Sequence, residues 1–66
     1  MRLFVLAKDA SGLREVAVFK PEAEDHATRF QRFRGQEQGM ATTIVAGFDL
    51  SDVMASHPAW FRIEAA

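Results

Sequence analysis

One helix-forming segment in a chain this short can cover only one face of a sheet. Pro21 to Gly35 (PEAEDHATRFQRFRG) is the only stretch with a sustained helical period and both a start and a stop signal. Pro21 suits a first helical turn, and Gly35 reads as the stop, with Gly39 as the later alternative. Glu22, Glu24 and Asp25 sit at the positive end; Arg29, Arg32 and Arg34 sit at the negative end. Asp25 and Arg29 are four apart with the acid first, the favourable order. At 3.6 residues per turn, Ala23, His26, Ala27, Phe30 and Phe33 share an inward arc, with Glu22, Asp25, Arg29, Arg32 and Gln36 opposite. About fourteen helical residues span about 21 Å, enough for one face of a small sheet.

The rest of the chain reads as strands. Residues 2–8 (RLFVLAK) and 14–20 (REVAVFK) are rich in β-formers, and the turn signal Asp9-Ala10-Ser11-Gly12 between them predicts a hairpin with a loop of four or five residues. After a connector at 35–39 (GQEQG), residues 41–48 (ATTIVAGF) form a third strand. Ser51 then caps a single helical turn, Asp52 to Ser56, which Pro58 ends. Residues 60–64 (WFRIE) alternate as a fourth strand. The expectation is an α+β fold spanning residues 1–66 as a single domain. Its sheet is small, four-stranded and mainly antiparallel, with element order β-β-α-β-β, spatial order 2-1-3-4 and one main helix on one face.

Sixty-six residues lie near the lower limit for unaided folding, and six Phe with one Trp supply large blocks for a small core. There is no cysteine, so no disulfide staples the chain. The apolar run Leu3–Ala7 is too short for a signal peptide or a membrane span, and the expected location is cytoplasmic. Net charge is −1, with +2 over residues 1–35 and −3 over residues 36–66. No global field therefore draws the chain to nucleic acid or to acidic membranes.

This layout leaves a sheet face without a cover. The first strand is apolar on both sides, with Leu3, Val5 and Ala7 on one and Phe4 and Leu6 on the other. If the helix covers one side, the other presents some of Phe4, Leu6, Phe19 and Trp60. Either Leu50, Val53 and Met54 fold over it with Trp60 as core, or a second copy or a partner protein covers it.

Three constellations bear on chemistry. The run Arg29-Phe30-Gln31-Arg32-Phe33-Arg34 interleaves arginine with phenylalanine as nucleic-acid binders do, and Arg29, Arg32 and Arg34 are the candidate phosphate contacts. The inward arc claims Phe30 and Phe33, however, and the arginines also suit the helix dipole. Glu22 and His26 have a helical metal-gripping spacing, with His57 or Asp52 to complete it. Yet His26 falls in the apolar arc and no recognised ligand motif is present, so no metal and no cofactor is expected. No nucleophile–base motif or phosphate loop occurs, so the chain reads as a non-enzyme.

A chain of this size without a catalytic constellation is similar in kind to small regulators, complex subunits and phage-borne inhibitors such as anti-CRISPR proteins. That likeness is one of size class, and no residue transfers from it. The leading expectation is a protein-binding module that occupies a surface of a larger partner complex, through Trp60, Arg62, Phe4, Arg29 and Arg32. The alternatives are a nucleic-acid-binding module using the arginines of the 21–35 helix, and a homodimeric structural subunit.

Overall fold

The computed structural model describes residues 1–61. The chain is α+β, and the described residues form three antiparallel strands, β1 (Arg2–Asp9), β2 (Gly12–Phe19) and β3 (Ala41–Gly47), and two helices, α1 (Glu24–Arg32) and α2 (Leu50–Ser56). The spatial order is β2-β1-β3, as expected for the first three strands. The four-stranded sheet of order 2-1-3-4 is corrected to three strands among the described residues. Pro58–Phe61 forms a 3-10 turn, with the Trp60 N–H donating to the His57 carbonyl at 3.1 Å. Trp60 and Phe61 pack onto the core cluster and approach β2 instead of extending beside β3. The remainder of the expected strand, residues 62–64, lies outside the described residues.

The pairing registers sort the side chains into two faces. Leu3, Phe19 and Ala46 align across the sheet, as do Val5, Ala17 and Ile44; this face meets α1. There Ala27 is fully buried and the Phe30 ring meets Phe19 edge-on at 5.8 Å. Phe4, Val18 and Val45 align on the other face, with Leu6, Val16 and Thr43 beside them. On that face Val53 of α2 completes a core cluster with Phe4, Leu6 and Val45, and Trp60 and Phe61 pack against it. Both faces are therefore covered over the central strand, where Phe4, Val5, Leu6 and Ala7 are buried in succession along β1, while Val18 on the edge strand stays exposed. Full burial of one Val side chain stabilises by about 1.5–3 kcal/mol, so Val53 is a substantial seal for a short helix.

Local chemistry explains how α2 reaches the sheet. Its N-cap is Asp49, whose Oδ1 accepts the Asp52 N–H at 3.0 Å; the expected Ser51 cap is replaced. Asp52 answers by accepting the Phe48 N–H on Oδ2 at 3.2 Å, a reciprocal arrangement close to a capping box. Asp49 wins because it is the extended residue at which the chain leaves β3, which frees Leu50 to begin the helix. Gly47 permits the close approach, since a Cβ there would meet Val53 Cγ2 at 3.0 Å.

The first helix also ends differently from expectation. Gly35 does not stop it; the chain widens into a π-helical turn over Phe33–Glu37. The reversal comes at Gly39, with φ +66°, a conformation that glycine adopts without steric penalty. The Met40 N–H then closes onto the Arg34 carbonyl at 3.1 Å, a Schellman-like end widened by the extra π residue.

The hairpin is tighter than its turn signal implies. Only Ala10 and Ser11 separate β1 from β2, and the register shifts between Ala7 and Lys8, leaving Arg14 as the unpaired bulge residue. The bulge aims Arg14 at the turn, where its Nε donates to Asp9 Oδ2 at 2.6 Å. Asp9 Oδ1 accepts from the Ser11 hydroxyl at 2.7 Å and from the Ser11 N–H at 2.8 Å. The Ser11 hydroxyl, then Arg14, hold the Asp9 carboxyl well below its ordinary 3.8, at about 2. A depressed folded-state value contributes stability that is complete above 3.8 and lost as pH falls through about 2. An NMR titration of the Asp9 side-chain carbonyl should give a midpoint near 2, moving toward 3.8 in Ser11→Ala. A wild-type midpoint at 3.8 would contradict the turn geometry.

Candidate functional site

The residues picked out by the sequence are dispersed by the fold. Phe4 is 2% exposed and sits in the core cluster, so it is withdrawn from any contact surface. Trp60 is half-buried over the same cluster, with the Lys8 ammonium 4.6 Å from its ring centroid. Arg62 lies outside the described residues. Arg29 and Arg32 are exposed on α1, across the sheet from Trp60.

Arg34 departs most from its expected role. Two helical turns after Ala27 it falls about 20° from that residue around the helix, close to the middle of the buried arc. Its Nη2 pairs with Glu15 Oε1 of β2 at 2.8 Å, and its Nη1 donates to Gln38 Oε1 at 2.6 Å. The guanidinium carbon stands 4.9 Å from the Phe30 ring centroid and 5.6 Å from that of Phe33. Arg34 Nε is buried without an acceptor among the described residues, and the two rings lie beside its guanidinium. The arginine expected to meet phosphate is instead a tie between helix and sheet.

The inward arc itself is turned from the expected one. Ala27 occupies its centre because a methyl side chain lets the helix close on β1 and β3. His26 and Phe33, on the margin of the arc, are exposed instead of buried, Phe33 to 50%. The consequence is a shallow groove of about 200 Å³ along one helical face, lined by Arg29, Arg32, Phe33, Gln36 and Glu37. Neither Arg29 nor Arg32 joins an ion pair among the described residues, so the Asp25–Arg29 pair suggested by spacing does not form.

A second surface lies on the far side of the sheet. α2 sends only Val53 into the core; Leu50 and Met54, four apart on its outer side, are 42% and 46% exposed. Phe48, just before the Asp49 cap, is 71% exposed. These three fall within seven residues on a segment held by the Asp49–Asp52 cap. The sequence signal was present: a two-turn helix with apolar residues at 50, 53 and 54 can bury only one row against a sheet.

Glu22 and His26 both face solvent, and His57 closes α2, its N–H donating to the Val53 carbonyl at 2.9 Å and its Nδ1 lying 2.9 Å from the Ser56 hydroxyl. Among the described residues, no three His, Cys, Asp or Glu side chains converge to hold a metal ion. Nor is any described helix long and apolar enough to cross a membrane. The chain matches no protein-family model, curated protein or solved structure.

The three arginines should separate by stability. Arg34→Ala should cost about 1–2 kcal/mol in urea unfolding, combining a half-exposed ion pair with lost ring packing. Arg29→Ala and Arg32→Ala should each change stability by less than about 0.5 kcal/mol. Equal effects for all three would contradict the tie.

Proposed function

We propose that the chain is a small non-enzymatic protein-binding module that occupies a surface of a larger partner. One observation carries the reading: Phe48, Leu50 and Met54 stand exposed together on the capped segment around α2. Single exposed apolar residues are ordinary on a protein surface, but three within seven residues on a rigid corner favour a contact site. Anchoring the segment in advance lowers the ordering cost of binding. Phe48 supplies an aromatic anchor and Met54 an adaptable thioether that fits irregular partner surfaces.

The contact surface thus moves from the sheet face to the outer side of α2. Trp60 serves this reading indirectly, by filling the face beside Val53. Asp49 and Asp52, exposed and interleaved with the apolar trio along the chain, favour a partner with basic residues at the rim of its pocket.

Capture from a lysate of the source cells compares wild type, Phe48→Ser/Met54→Ser and Phe33→Ala, each confirmed folded by circular dichroism. The reading expects a discrete protein retained by wild type and Phe33→Ala. The double variant should lose it, since two anchors of hot-spot size are together worth upwards of about 2 kcal/mol, or about thirtyfold in affinity. Capture indifferent to Phe48 and Met54 would overturn the surface. A concentration-dependent dimer in light scattering, dissolved by the double variant, would replace the partner with a second copy.

A further inference from the structure

We propose that the outer groove of α1 and its π-helical extension binds single-stranded nucleic acid, with an unstacked base against Phe33 and phosphates on Arg29 and Arg32. This does not depend on the α2 surface, which lies across the sheet. Three features converge in one groove: two exposed arginines outside any ion pair among the described residues, an aromatic ring half open to solvent, and the polar ends of Gln36 and Glu37.

The placement follows from the helix. Arg29 and Arg32 are three residues apart, so their Cβ atoms stand about 5–6 Å from each other on one face, a spacing at which they can hold neighbouring phosphates of one strand. Phe33 follows directly. Its ring is backed by the Arg34 guanidinium, 5.6 Å from the ring centroid, which is itself held by Glu15 and Gln38. Arg34 thus braces the stacking ring without contacting phosphate. Gln36 and Glu37 lie one turn further along, beside the position of a base stacked on Phe33.

Glu37 decides between polyanions. An acidic protein segment drawn by the arginines would bring its carboxylates against that of Glu37. A nucleobase instead offers exocyclic amino groups, which donate to Glu and Gln side chains. A duplex is disfavoured because its bases are already stacked and cannot meet Phe33. With one base and two phosphates engaged, binding is weak, and its salt dependence reports the number of contacts.

The test uses fluorescein-labelled oligothymidylate and oligocytidylate, about twelve nucleotides long, in anisotropy titrations from about 20 mM to about 200 mM salt, with polyglutamate as competitor. For two phosphates on a single strand, log K should fall against log salt with a slope of about −1.4. Phe33→Ala should weaken binding by about tenfold, the loss of one stacked base, with charge unchanged and the variant confirmed folded by circular dichroism. Arg29→Gln/Arg32→Gln should flatten the slope, and Phe48→Ser should leave binding intact. Oligocytidylate should exceed oligothymidylate, and Glu37→Gln should narrow that gap, because the cytosine amino group donates to Glu37. Absence of binding at the lowest salt overturns the proposal. So does binding that ignores Phe33 and yields to polyglutamate, which would mark the groove as a site for acidic protein segments. Loss of binding in Phe48→Ser would place the contact on the α2 surface and overturn the assignment to this groove.

Discussion

Everything in this molecule is arranged around a strand that has no polar side over its central residues. Phe4 to Ala7 of β1 are buried in succession, so the sheet must be covered twice. Parallel sheets meet that demand with helices on both faces, whereas small antiparallel sheets commonly leave one face to water. Here the covers are unequal. α1 and its π extension take one side. The other is closed by Val53 from a two-turn helix, with Trp60 and Phe61 packed beside it. A small chain without disulfides thereby obtains a core from a central strand shared by two thin layers.

The shape of the first cover sets what the surface offers. Ala27 at the centre of the buried arc draws α1 close, and that rotation carries Arg34 inward and leaves Phe33 outside. An inward arginine in so small a protein needs an acid within reach, and Glu15 on the edge strand supplies it at 2.8 Å. Each placement entails the next. The groove of Arg29, Arg32 and Phe33 is the outer side of the same geometry that ties Arg34 to the sheet. On the opposite layer, the close approach at Gly47 brings Val53 in and turns Leu50 and Met54 out. Two exposed faces of unlike character, one aromatic and basic and one apolar with acidic residues beside it, thus lie on opposite sides of the sheet.

How legible this was in the sequence depended on the range of the forces involved. The positions of the first three strands, the place of β1 between β2 and β3 and the proline start of the first helix follow from local pattern, and the fold keeps them. The π turn escaped because Gly35 carries a stop signal, while the actual reversal at Gly39 is fixed by the Met40 closure onto Arg34. Arg34 escaped because periodicity centred on phenylalanines points the helix by hydrophobic mass, whereas the smallest side chain, Ala27, set the closest approach. Trp60 and Phe61 alternate like a strand, yet Pro58 and the His57 carbonyl favour a 3-10 turn, and tertiary packing decided it. One helix and a two-sided strand imply a second face in need of a cover, and the expectation that a partner supplies it is corrected, since Val53, Trp60 and Phe61 of the same chain pack there. Val53 lies in a segment whose capping by Asp49 rather than Ser51 lengthened it to two turns.

The central residues of β1 are therefore buried on both sides, and the exposed phenylalanines belong to the outer sides of the two covering layers. Hydroxyl-radical footprinting read by mass spectrometry tests this most directly, because phenylalanines of equal intrinsic reactivity lie in contrasting environments. The account predicts rapid oxidation at Phe48 and Phe33, 71% and 50% exposed, and protection at Phe4, 2% exposed. Oxidation of Phe4 at a rate matching Phe48 would contradict it, since the second face of the sheet would then be open to solvent.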